Sequence, residues 1–130
     1  MIAIHDIAED FREMQLAGRV QDAAEKYWSA DIKSIEPADL SDGTPAIVRG
    51  LRAAREKLIR RLAQNAIEDI AIDGPFITGN RFALFIDMQI VDRATGIRRP
   101  FSEIAIFTVR DGKIAEERFF YDTEAGEDQS

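Results

Sequence analysis

The chain predicts an α+β domain in which helices cover one face of a curved, mostly antiparallel β-sheet. Three observations carry this. Apolar residues recur at helical spacing up to Leu62, the pattern turns to β-rich runs after Asn65, and those runs are separated only by short turn signals. Strands joined so closely must run antiparallel, and helices segregated ahead of them pack on one face of the sheet.

Ile4, Ile7, Ala8, Phe11 and Met14 keep the three-and-four spacing of an amphipathic helix that Gly18 closes. Val20, Ala23, Ala24, Tyr27 and Trp28 form the stripe of a second helix running to about Ser29, so the two pack as a hairpin. Asp31 to Glu36 reads as a strand ended by Pro37, and "PADLSDGTPAI" as a loop. Leu51, Ala54, Leu58, Ile59 and Leu62 mark a third helix. Its other face, with Arg52, Arg55, Arg60 and Arg61, is read as solvated rather than as a binding patch. Ile67–Asp73, Phe76–Asp92, Ile97–Arg110 and Lys113–Tyr121 then form a four-strand meander, with turn signals at "TGN", "ATG" and "RDG". One domain is expected over residues 1–122, with a frayed tail over 123–130.

Composition excludes several functions. With 24 acidic against 17 basic residues the net charge is −7, a field that repels nucleic acid and anionic membranes. There is no cysteine and one histidine, His5, read as a surface residue, so neither a thiol nucleophile nor a zinc centre is expected. The start, "MIAIHDIAED", has no basic or apolar leader pattern, and "FALFI" is too short to cross a bilayer. The expectation is a soluble, cytoplasmic protein.

The element order, together with "YWSADIKSIEP", "GLRAAREKL" and "VRDGKIAEERFFYD", resembles the nuclear transport factor 2-like superfamily, in its SnoaL-like and ketosteroid-isomerase-like branch. The resemblance spans nearly the whole chain. It implies a cystatin-like cone, with three N-terminal helices and a curved sheet enclosing an apolar pocket, and homodimerisation through the outer sheet face. It also implies a small, largely apolar carbonyl ligand and no cofactor. "SADIKSIEP" fits, without a gap, an isomerase pattern like "ADDATVEDP" in which the acid before the proline is the general base, which puts Glu36 at the base position. Two positions depart from the family. The isomerase's oxyanion tyrosine falls at Phe11, and an acid on the cyclases' last strand falls at Phe119. Limonene epoxide hydrolases share this fold, but their Arg-x-Asp is missing from the third strand.

Three carboxylates carry the candidate chemistry. Glu36 reads either as a partly desolvated base or as a solvated strand-end acid. Glu103 interrupts the apolar run "FSEIAIFTV", where a carboxylate must find a partner or hold its proton. Held protonated, it could donate to a developing oxyanion; its other reading is an ion pair with Arg98, Arg99 or Arg118. Glu117 alternates with Phe119 and Tyr121 and reads equally as a pocket acid or an exposed cross-strand partner.

The face of Glu103 depends on the "RDG" turn. A type I turn with a glycine bulge sets it opposite Phe119, on one face with Ala105, Phe107, Glu117, Phe119 and Tyr121. A two-residue type I′ turn at Asp111-Gly112 sets it opposite Phe120, on the other face from Glu117. The bulge is favoured, because the remaining face (Ile104, Ile106, Ile114, Glu116, Arg118, Phe120) has the mixed character of a dimer surface. Phe11, Tyr27, Trp28, Phe107, Phe119 and Tyr121 are the candidate pocket wall, although aromatics at core spacing also serve simply as core. Asp87 and Gln89 share a face that is either pocket or exterior.

Overall fold

The computed structural model describes residues 3–123; the expected tail falls, from residue 124 on, outside the described residues. Helices α1 (Ile4–Leu16) and α2 (Val20–Tyr27) lead into β1 (Trp28–Ile35) and a short β2 (Ile47–Arg49). Helix α3 (Leu51–Gln64) follows, then β3 (Asn65–Thr78), β4 (Arg81–Asp92), β5 (Arg98–Arg110) and β6 (Lys113–Phe120). The strands form one sheet in the order β2-β1-β6-β5-β4-β3, antiparallel throughout except where β1 runs parallel to β6. The helices pack on one face. Ile7, Phe11 and Met14 of α1 and Ala23, Ala24 and Tyr27 of α2 meet Phe82, Leu84, Ala105 and Phe107 of the sheet in the core.

Several elements differ from expectation for identifiable reasons. The second helix stops at Tyr27, because from Trp28 the backbone is extended and joins β1. The loop before α3 ends in β2, whose three residues pair with Lys33 to Ile35. At three residues it is too short for alternation to declare it. Residues 76–78 belong to β3 rather than β4, since Thr78 pairs with Arg81 and the turn is Gly79-Asn80. Strand β3 passes through Gly74-Pro75 because it is an edge strand, where a missing N–H and a register shift are tolerated. Gly74 is at φ 113°, and a Cβ there would lie 2.9 Å from the Ala83 carbonyl oxygen. Its own carbonyl accepts a 2.8 Å hydrogen bond from Arg12, tying α1 to the sheet edge.

The β5–β6 connection resolves the face of Glu103. Asp111 (φ 53°) and Gly112 (φ 76°) are both left-handed, the signature of a type I′ turn, and Arg110 pairs with Lys113. The register then shifts between Thr108 and Val109, with Ala115 as the extra residue opposite them, so that Phe107 pairs with Glu117 and Ala105 with Phe119. The turn is therefore the two-residue one, yet a bulge two residues beyond it restores the face expected from the other turn. Extending this register puts Glu103 level with Tyr121, on the inner face with Glu117. Ile114, expected outside, is fully buried because it precedes the bulge.

On the opposite face Phe85 pairs with Ile104 and Ile104 with Phe120, and all three are exposed; Phe76 lies against Phe85 at 5.4 Å between ring centroids. Asp87 lies on this face too and accepts a hydrogen bond from Ser102. His5 is exposed, beside Asp6 and Glu9.

Candidate functional site

Between the helices and the inner sheet face lies a cavity of about 120 Å³. Its walls are mostly apolar: Phe11 from α1, Trp28 at the start of β1, Ile86 and Met88 from β4, Phe107 from β5 and Phe119 from β6. One end is charged, lined by Lys57 and Arg61 of α3 with Glu103 and Glu117 of the sheet.

Helix α3 supplies both cations through its period. Ala54, Lys57, Leu58 and Arg61 fall at i, i+3, i+4 and i+7, one face of a helix. Lys57 is only 3% exposed. Its Nζ lies 2.6 Å from Glu36 Oε2 and donates at 2.8 Å to Ser34 Oγ. Ser34 pairs with Glu117 across the parallel β1–β6 ladder, and its hydroxyl donates to Glu117 Oε2 at 2.7 Å. The Trp28 indole N–H donates to the other oxygen, Oε1, at 3.1 Å. Burial raises the Glu117 pKa, opposed by the Ser34 hydrogen bond, the Lys57 charge and the Trp28 hydrogen bond. With both oxygens accepting, Glu117 anchors the network rather than offering a free carboxylate. The Lys57 ammonium also stands 5.6 Å from the centroid of Phe119, a cation–π contact.

Glu36 directly follows β1, behind this network. It is 2% exposed, with Lys57 at Oε2, the Tyr121 hydroxyl donating to Oε1 at 2.7 Å, and Arg61 Nη1 3.6 Å from Oε2. It does not border the cavity. A base must reach the proton it takes, so the expectation of Glu36 as base is corrected to that of a buried counter-ion. Tyr121 is drawn off in the same way. It holds Glu36 instead of lining the cavity, and burial followed by the Glu36 contact pushes its pKa up. Tyr27 is core as well, its hydroxyl donating to Asp10 on α1.

Glu103 is the group the cavity leaves open. It lines the space, and its Oε2 is sealed from water with no hydrogen-bond partner. The arginines that could have paired it are engaged elsewhere: Arg98 with Glu68 and Asp69, Arg118 with Glu116, and Arg99 over the Phe101 ring. Desolvation, opposed by Arg61 and reinforced by Glu36 and Glu117, pushes the Glu103 pKa up to about 7. Burial opposes the charge on Arg61, but the fields of Glu36, Glu103, Tyr121 and Glu117 together outweigh it and hold the guanidinium protonated. Arg52, Arg55 and Arg60 do face outward, to Glu56, Glu25 and Thr44; Arg61, grouped with them from the sequence, turns inward.

Sequence reasoning thus missed Lys57, Arg61 and Ser34. The signal available was their spacing from Ala54 and the alternation of Ser34 with Ile32 and Glu36.

A helix-covered curved sheet around an apolar cavity with acids at one end defines a protein of the nuclear transport factor 2-like class. A SnoaL-like domain profile matches residues 2–121, and the chain belongs to the SnoaL-like family. A SnoaL-like candidate polyketide cyclase from Mesorhizobium loti is similar at 35% identity over 92% of this chain and 100% of that one, with a TM-score of 0.84. A nuclear transport factor 2-like protein from Burkholderia thailandensis shares the fold at 17% identity, covering 100% of this chain and 99% of that one, TM-score 0.80. So does a candidate isomerase from Bacillus subtilis, at 16% identity over 93% and 90% of the two chains, TM-score 0.76. No curated protein matches the chain. Among the described residues no helix is long and apolar enough to cross a membrane.

Proposed function

We propose that the cavity binds a small, largely apolar carbonyl compound and that Glu103 moves a proton at the carbon next to the carbonyl. One observation carries this: an unpartnered, buried carboxyl oxygen facing an apolar cavity beside a charged guanidinium. The C–H proton passes to the Glu103 carboxylate and the C–H electron pair leaves an enolate oxygen in the field of Arg61. Protonated Glu103 then returns the proton to carbon. A group with a pKa near 7 serves both directions at neutral pH.

Phenylacetone and the lone tryptophan, Trp28, make the test direct. Binding should change Trp28 emission, and proton NMR in D₂O should show protein-dependent deuterium uptake at the ketone's acidic carbons. The uptake rate should rise with pH through about 7, where Glu103 ionises and can act as a base. Glu103→Gln should lower it by about 100-fold or more while the emission change persists. Uptake unaltered in Glu103→Gln would remove Glu103 from the chemistry. Binding without any Glu103-dependent uptake would leave the non-catalytic binding module, the reading favoured by Phe11 and Phe119 standing where the family's polar groups are expected.

The proposal includes a homodimer through the outer sheet face. The exposed row Phe76, Phe85, Ile104 and Phe120 supports it, since a continuous apolar strip on a sheet is costly to leave in water. Sedimentation should show a dimer that Phe120→Glu converts to monomer; a monomeric parent protein would end this part of the reading.

A further inference from the structure

Arg61 carries five N–H donors in a planar fork, and among the described residues its side chain donates no hydrogen bond; the one ion pair it forms there is with Glu36 Oε2 at 3.6 Å, too long for a hydrogen bond. Its side chain is 33% exposed and borders the cavity, so the fork is reachable from solvent and unfilled. A guanidinium face without hydrogen-bonded protein acceptors is matched by two coplanar oxygens, the geometry of a bidentate carboxylate. The second cation at this end, Lys57, already has its near partners, Glu36 and Ser34. That leaves Arg61 to meet the ligand.

Size bounds the rest of the molecule. The cavity is about 120 Å³, and an apolar hole of roughly 150 Å³ admits one benzene ring. A single ring therefore takes up the enclosed space beside Phe11 and Phe107, and a short chain on it extends toward the end where Arg61 is open to solvent.

Resting on the reading of Glu103 as the proton carrier, we propose that the ligand is a monocyclic 2-oxo acid whose carboxylate and keto oxygens are taken by Arg61, with its ring among the aromatic side chains. In such a molecule the carbon between ring and carbonyl is the acidic one, and with the carbonyl held by Arg61 it faces the charged end of the cavity, where Glu103 also lies. Proton removal sends the C–H pair into a new C=C bond and the carbonyl pair onto the keto oxygen, which Arg61 already holds. No other reactant is needed.

The experiment compares phenylpyruvate with phenylacetone, in which a methyl group replaces the carboxylate, by calorimetry and Trp28 emission. Phenylpyruvate should bind at least about tenfold more tightly. Arg61→Met should bring the two affinities within about twofold of each other, and Arg61→Lys, which keeps the charge without the fork, should remove most of the preference. A naphthyl analogue of phenylpyruvate should bind at least about tenfold more weakly than phenylpyruvate itself. Equal affinities in the parent protein, a preference that survives both Arg61 variants, or unimpaired naphthyl binding would overturn the proposal. Phenylacetone binding with Glu103-dependent exchange but no gain from the carboxylate would remove the oxo-acid class alone. Failure of both probes to bind would remove the proton-transfer reading with it.

Discussion

Replacing Lys57 by methionine is expected to destabilise the protein by about 3–5 kcal/mol, the cost of leaving a buried counter-charge unpaired. Lys57 is 3% exposed and stands 2.6 Å from Glu36, itself 2% exposed, and 2.8 Å from Ser34, which relays to Glu117. Methionine fills similar space but leaves Glu36 with only the Tyr121 hydroxyl and Arg61 Nη1 3.6 Å away. Since whole domains are stable by only about 5–15 kcal/mol, such a loss should be obvious in urea denaturation at neutral pH. The double variant Lys57→Met with Glu36→Gln should recover much of the loss, because the unpaired charge goes with it. A non-additivity of about 1–3 kcal/mol between the two changes is the signature of direct coupling. A single variant costing under about 1 kcal/mol would show that the ammonium is not in the buried position described.

Replacing Glu103 by glutamine is expected to act in the opposite direction, and only at higher pH. In the folded chain Glu103 holds its proton to about pH 7, against 4.5 as the ordinary value. Between those values the folded state binds more protons than the unfolded one, so stability falls as pH rises from about 4.5 to about 7 and stays lower above. The glutamine side chain has no proton to lose there and removes that slope. At pH 8 the variant should be more stable than the parent by up to about 3 kcal/mol, since one pKa unit corresponds to about 1.4 kcal/mol. At pH 4 the two should coincide. Denaturation curves at the two pH values measure this directly, and a variant no more stable at pH 8 would mean that the carboxyl is not desolvated. The same substitution is expected to lower proton exchange by about 100-fold or more, so stability and activity would move in opposite senses, as they do where a site holds an unfavourable group for use.

The helices and the meander were legible because their signals are local. Ile7, Phe11 and Met14 recur at the helix period, and Asp111-Gly112 is a hairpin pair whichever protein holds it. The inward face of Glu103 was reached by a wrong device, a bulge within the turn. The bulge at Ala115 lies inside the strand, where Ile114 and Ala115 are both buried and alternation gives no sign of it. Glu36 shows the limit more plainly. Its place before Pro37 marks the end of a strand, but whether that end opens on the cavity depends on Lys57 and Tyr121, residues 21 and 85 positions further along the chain.

The sequence by itself determined the fold class, the family and the lack of a cysteine for thiol chemistry, and it singled out Glu36, Glu103 and Glu117 as the acids to place. Period and turn chemistry act over a few residues and survive any tertiary context. Only the tertiary structure decided which acid lining the cavity keeps an unpartnered oxygen and which are held by partners. That outcome is an electrostatic contest among Glu36, Glu103, Glu117, Lys57 and Arg61, brought together by the parallel β1–β6 pairing and the face of α3. Its result turns on distances of a few ångströms between groups that no local pattern relates.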